Sequence, residues 1–286
     1  MQAAASTNGR RSLVAFYWLL VVFLYAPILL LMIFSFNDSR DVAFPFRGFT
    51  LRWYHAFLTN PNLLAALRRS AIVATASSAI AVALGVLASF VLVRRRFVAK
   101  SAVSGLLLSP LVIPYLVFGI ALLILFRAVD TFLTNTMGIY IGLGMHAIVI
   151  GHVVVSLPYA ILTIVPRLEL IDIALEEAGR DLGANARQTF RRITLPLLTP
   201  AVVSALLIAF TLSFDEYAIA SFVAGDAATY PIYLYSQLRI RAGLPQMIAI
   251  SVLVLVGSMV LVVATEVGRR RAERQLAVEE TEGLLG

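Results

Sequence analysis

Arg167–Pro196 reads RLELIDIALEEAGRDLGANARQTFRRITLP. It is flanked by apolar runs over 139–165 and 198–222, each longer than the about 20 residues a helix needs to cross a bilayer. A stretch this dense in charge cannot share their solvent, so it is a polar loop that joins two membrane spans. Inside it, Leu168, Ile171, Leu175, Ala178 and Leu182 recur at helical steps and predict one amphipathic helix. Glu169, Asp172, Glu176 and Asp181 fall mainly off that stripe. Pro166 suits its first turn, and Gly183, after the last periodic residue, suits a left-handed stop. A second short helix, roughly Asn185 to Ile193, follows until Leu195-Pro196 redirects the chain into the next span.

Charge divides the loop. Arg167 to Leu182 carries Arg167 and Arg180 against Glu169, Asp172, Glu176, Glu177 and Asp181, whereas Gly183 to Leu195 holds Arg187, Arg191 and Arg192 with no acid. The basic half can lie on anionic headgroups. The acidic half, slim at Ala178 and Gly179, is free to enter a groove on a partner protein. Periodicity alone favours a plainer reading, a helix that merely covers the ends of a bundle.

The rest of the chain fits an all-α integral membrane protein. It is 60% hydrophobic and 14% charged over 286 residues, with a mean hydropathy of +0.90, outside the range of ordinary soluble domains. Only helices or closed barrels satisfy their backbone in lipid, and unbroken apolar runs select helices. Six runs qualify, about 13–36, 70–93, 101–126, 139–165, 198–222 and 246–267. They predict a single transmembrane domain over 1–286, with 166–197 as its loop and no room for a separate ATPase or binding domain. The first run is too long for a signal peptide and lacks a small-residue cleavage site, so it reads as an anchor. No cysteine occurs, which excludes disulfides, thiol catalysis and thiolate zinc sites. No internal repeat of the secondary-transporter kind is visible.

The net charge of +7 marks membrane topology and not nucleic acid, because the arginines cluster at the ends of apolar runs. With the N-terminus in the cytoplasm, only Arg40, Arg47, Arg52, Arg68, Arg69, Arg127, Arg239 and Arg241 of the 23 basic residues lie outside. Both termini and the 166–197 loop are then cytoplasmic. The first external loop holds Phe44, Phe46, Phe49, Trp53, Tyr54 and Phe57, an interfacial density of aromatics. Thr50 is the predicted cap of a short helix there, with Phe49 and Tyr54 as its staple.

The loop also contains Glu177-Ala178-Gly179, three residues, Gly183, nine residues, Ile193, one residue, then Leu195-Pro196. This spacing resembles the cytoplasmic coupling loop of ABC importer permeases, Gly179 standing where the family usually has a second alanine. Further residues are similar to the second permease subunit of spermidine/putrescine-type importers: Ser35-Phe36-Asn37, Gly48-Phe49-Thr50-Leu51 before Trp53-Tyr54, Ala66-Leu67 with Ser70, Ser213-Phe214-Asp215-Glu216-Tyr217, and Ser221-Phe222-Val223. The resemblance implies the type I importer permease fold in a bacterial inner membrane. It implies that Glu176, Glu177, Ala178, Gly179, Asp181, Gly183, Ile193, Leu195 and Pro196 couple the permease to ATP hydrolysis. The implied partners are a second permease subunit, two ATP-binding subunits that hold ATP and magnesium, and an extracytoplasmic solute-binding protein. No cofactor is expected on this chain.

Asp215 and Glu216 sit near the external end of the fifth run, where a carboxylate costs about 2.5–3.5 kcal/mol near mid-membrane and so faces a cavity or a partner. With Thr211 and Tyr217 they are candidates for a solute path, and an acid suits a cationic solute. Asp215 could equally pair with an arginine of a neighbouring subunit or rest at the headgroups. His146 and His152 receive no role. Pro110, Pro114 and Pro158 can bend helices around a cavity. Phosphate-loop, zinc-protease and nucleophile-elbow motifs are lacking, so catalysis is not expected. Two rival readings of the sequence are an ion-coupled transporter or channel and a non-transporting scaffold.

Overall fold

The computed structural model describes residues 7–39, 44–238, 243–260 and 262–263. Among these, five helices are long and apolar enough to cross a membrane, and a shorter sixth, Leu244–Val260, follows. In chain order the helices are α1 (Thr7–Phe34), α2 (Arg52–Leu58), α3 (Pro61–Arg94), α4 (Lys100–Leu108), α5 (Tyr115–Met137), α6 (Met145–Glu169), α7 (Ile173–Asp181), α8 (Ala186–Thr189), α9 (Leu195–Phe214), α10 (Ala218–Val223) and α11 (Tyr230–Gln237), with α12 the Leu244–Val260 helix. The expected end of the sixth span beyond 263 and the acidic tail lie outside the described residues.

The main departure concerns the third span. The apolar run over 101–126 is not one helix: α4 ends at Leu108, a 3-10 turn covers Ser109–Leu111, and Pro114 precedes α5. Proline lacks an N–H and disfavours helical backbone in the residue before it, so two prolines four residues apart divide the run. The crossing helix is Tyr115–Met137, which carries the charged Arg127 and Asp130 at its far end. Asp130 is buried and accepts from the N–H groups of Ile141 and Gly142 at 2.9 and 3.3 Å, tying that end to the following turn.

The chain divides into two compact units, Met1–Pro61 with Leu234–Met259 and Asn62–Tyr233 with Val260–Gly286. In the first, Trp53 Nε1 donates to the Asn37 carbonyl at 2.9 Å, and the Ser35 and Tyr54 hydroxyls meet at 2.7 Å. Thr50 does not cap α2 as predicted. Leu51 takes the cap position without a side-chain bond, while Thr50 Oγ1 accepts from the Arg52 N–H. The staple is three rings, since Phe49 stacks on Phe36 at 4.9 Å and Tyr54 lies 5.3 Å from the same ring.

In the second unit, α3, α6 and α9 share one apolar cluster that includes the small residues Ala160, Ala201, Ala205 and Ala209. Small residues let helix backbones approach where lipid offers no hydrophobic drive. Gly85 is one such approach, for a Cβ there would lie 2.7 Å from Ala160 Cβ. A second cluster joins Val73, Leu122, Ile148, Val155, Ile219 and Val223 from α3, α5, α6 and α10. There α10 is pressed onto Gly119, where a Cβ would fall 2.8 Å from Phe222 Cδ2, 3.1 Å from Ile219 Cα and 3.2 Å from the Ala218 carbonyl oxygen. Two of those three atoms are backbone and cannot rotate away. Gly119→Val should therefore destabilise the permease by about 1–3 kcal/mol; an unchanged thermal midpoint of the purified variant would contradict this packing.

Candidate functional site

The loop does not form one amphipathic helix from Pro166. α6 runs through Pro166 to Glu169, the chain turns at Leu170–Asp172, and α7 starts afresh because Asp172 Oδ1 accepts from the Ala174 N–H at 2.9 Å. A local N-cap outcompetes continuation of the helix. The restart breaks the predicted stripe. Leu168 and Ile171 are buried in the α3–α6–α9 cluster, but Leu175 and Leu182 are 49% and 90% exposed and Ala178 is exposed.

The inward face of α7 is instead Glu176 and Gly179. Glu176 Oε1 accepts from Arg94 Nη2, at the end of α3, at 3.1 Å, and the same nitrogen donates to the Ile171 carbonyl at 2.9 Å. Arg94 thus holds both the turn before α7 and its buried acid. Arg180 reaches Glu176 only at 3.8 Å and is itself 57% exposed, so it adds little. Gly179 packs on Ile193, whose Cδ1 would stand 2.5 Å from a Cβ at 179. Two residues of the motif therefore touch, and the glycine allows the contact without displacing the isoleucine.

Gly183 ends α7 as predicted, with φ +86°. Its N–H donates to the Arg180 carbonyl and the Ala184 N–H to the Gly179 carbonyl, at 2.8 and 3.0 Å, the paired bonds of a Schellman stop. Asn185 and Gln188 then form a reciprocal capping box that starts α8. The expected redirection at Leu195-Pro196 is absent. Phe190–Thr194 is a π-turn, and the helix runs continuously over Ala186–Phe214. Pro196 has no N–H for the Arg192 carbonyl, and one wider turn absorbs that mismatch without a break. Pro196 is exposed and Leu195 half-buried. The outward surface of the loop is Glu177, Ala178, Asp181, Leu182 and Gly183.

The second set of candidates lies where α9 ends. Phe214 is its last residue, and Asp215–Tyr217 separates it from α10. The two acids part company there. Asp215 is exposed, and among the described residues no cation pairs with its carboxylate. Glu216 is buried. Its Oε1 accepts from the Ile219 N–H at 2.8 Å and its Oε2 from the Ala220 N–H at 2.9 Å. Its Oε2 also lies 3.1 Å from His152 Nε2. Glu216 is thus held inside the protein by two backbone N–H groups and His152. Thr211 and Tyr217 are half-buried on either side of Asp215.

Two residues gain importance that the sequence did not assign. His152, wholly buried, bridges Glu216 and Ser213, and Ser213 continues to Ser77 on α3 at 2.8 Å. The signal was available, since a histidine inside an apolar run must find a polar partner and the runs offered few. Arg94 is the first of three consecutive arginines, Arg94 to Arg96, and nothing local distinguishes it from its neighbours. No cluster of three or more metal-ligating side chains occurs among the described residues.

Residues 81–274 match the family described as the binding-protein-dependent transport system inner membrane component. The chain belongs to this family and is a multi-pass permease subunit of an ABC importer, a transporter component and not an enzyme. It is 33% identical to the spermidine/putrescine transport system permease protein PotC of Escherichia coli (strain K12), over 97% of this chain and 98% of that one. It is 38% identical to the putrescine transport system permease protein PotI of the same strain, over 82% of each chain. Among solved structures it is similar to the crystal structure of a bacterial ABC transporter that imports the acidic polysaccharide alginate, with a TM-score of 0.69, 15% identity, and coverage of 92% and 97% of the two chains. That likeness concerns the fold, the type I importer permease fold.

Proposed function

We propose that α7 is the coupling helix, that it docks on a separate ATP-hydrolysing subunit at the cytoplasmic side, and that the solute moved is a polyamine such as putrescine or spermidine. The observation that carries the docking role is the division of the motif. Glu176 and Gly179 are spent inward on Arg94 and Ile193, whereas Glu177, Ala178, Asp181 and Leu182 are presented outward. Groups anchored on one side and bare on the other suit a lever between the bundle and a partner. The orientation rests on the arginine bias, which puts the loop and both termini in the cytoplasm.

The solute assignment rests on Asp215 and on the named substrates of the similar permeases PotC and PotI. An exposed carboxylate at a helix break within the membrane attracts an organic cation and repels an anion. The full assembly would comprise this chain, a second permease of a different sequence, two ATP-binding subunits with ATP and magnesium, and an extracytoplasmic binding protein.

Uptake by the assembly in proteoliposomes tests this reading. Labelled putrescine should enter only with ATP, the ATPase subunits and the binding protein; entry through this chain alone under an ion gradient would replace the reading with an ion-coupled transporter. Asp215→Asn should raise the solute concentration for half-maximal uptake, by a factor of about ten for the loss of one charge contact worth about 1.4 kcal/mol. Unchanged kinetics would remove Asp215 from the path.

A further inference from the structure

Between the two apolar clusters of the second unit runs a chain of polar groups, from Ser77 on α3 through Ser213 on α9 and His152 on α6 to Glu216 at the start of α10. We propose that His152 holds a proton on both ring nitrogens and forms with Glu216 a buried ion pair that pins the bend between α9 and α10.

Proton accounting leads there. Ser77 Oγ lies 2.8 Å from the Val73 carbonyl and 3.3 Å from that of Ala74. Carbonyls only accept, so the single hydroxyl proton of Ser77 is used there. The 2.8 Å contact between Ser77 and Ser213 then takes its proton from Ser213. Ser213 has only lone pairs left for His152 Nδ1 at 2.7 Å, so Nδ1 donates. The remaining proton lies between Nε2 and Glu216 Oε2. Both carboxylate oxygens already accept backbone N–H groups at the start of α10, and such donors favour the anion. The proton belongs on the ring.

The pair has a mechanical meaning. His152 is 0% exposed and Glu216 6%, and a buried ion pair is worth keeping only when every remaining donor and acceptor is satisfied. Here they are, and the satisfied groups come from α3, α6, α9 and α10 together. Glu216 is thereby fixed in the interior, which turns its neighbour Asp215 to the exposed side. His152 is a positioning residue for that acid. This last link rests on the role given to Asp215 above, but the protonation state does not.

The chain has three histidines, and His55 and His146 are exposed, so nitrogen NMR can read His152 alone. The assembled transporter in nanodiscs, in which this chain alone is labelled with 15N-histidine and carries His55→Gln and His146→Gln, should show both His152 nitrogens in the protonated range at neutral pH. One protonated and one unprotonated nitrogen would overturn the proposal. A substitution cycle provides the second test. His152→Gln and Glu216→Gln, each leaving one buried charge alone, should each lose most of the assembled complex, and the double variant should recover most of it. Losses that simply add would also overturn the ion pair. If the NMR signature holds while the double variant's uptake kinetics match the wild type, the pair stands and only the link to Asp215 fails.

Discussion

Gly183→Asp is expected to cut ATP-driven uptake by at least about tenfold while the variant still inserts and assembles. An added Cβ at Gly183 meets no atom within 4 Å, so the permease itself has room for the side chain. What the substitution changes is the backbone and the surface. A residue other than glycine at φ +86° is strained by about 1–2 kcal/mol, enough to loosen the Schellman stop and let α7 drift but not to unfold a bundle of long helices. The new carboxylate also adds charge to the surface offered to the ATPase. Gly183→Asn isolates the charge, because asparagine and aspartate tolerate left-handed backbone alike and only aspartate is charged. It should retain more uptake than the aspartate variant. Uptake at the wild-type rate by Gly183→Asp, with normal ATPase binding, would remove this turn from the coupling path.

Arg94→Ala should uncouple the transporter from the other side of the same helix. It leaves Glu176 buried without its partner and frees the Ile171 carbonyl, a loss of about 1–3 kcal/mol concentrated on one nine-residue helix. The bundle keeps its apolar clusters, so insertion and assembly continue. Binding-protein stimulation of ATP hydrolysis should fall severalfold while unstimulated hydrolysis persists. Arg94→Lys should sit between, since it keeps a positive charge near Glu176 but its shorter side chain ends before the position from which Nη2 serves both acceptors. Glu176→Gln should be milder than Arg94→Ala, because the amide oxygen still accepts from the guanidinium. Full stimulation in Arg94→Ala would show that α7 is seated by other contacts.

How much of this was legible in the sequence depends on the range of the interaction. Gly183 was readable because a helix stop is a local event in which one residue's backbone freedom decides the outcome. The membrane spans were readable because hydropathy acts through composition. The face of α7 was not. Its register depended on whether the chain would continue past Glu169 or restart at Asp172, and a one-step restart turns Leu175 and Leu182 outward and Glu176 inward. The cue was Asp172 itself, a good N-cap two residues before Ala174, outweighed by the regular spacing of the apolar residues. The third span failed for a similar reason, with the run over 101–126 apolar throughout but Pro110 and Pro114 setting its helix boundary. The inward turn of Glu216 and the bridging by His152 depend on residues 61 and 64 positions apart, contacts that no local pattern reports.

In the proposed assembly the outward face of α7 rests on an ATP-hydrolysing subunit. The chain has no cysteine, so a single cysteine placed at Ala178 gives one chemically unique point on that face, and a short thiol cross-linker can report what it touches in the assembled transporter. The product expected is a covalent adduct with the ATPase subunit, with a yield that changes between nucleotide-free and ATP-bound conditions. Efficient labelling of the same cysteine by a soluble thiol reagent, with no adduct to the ATPase under either condition, would mean that α7 does not dock there.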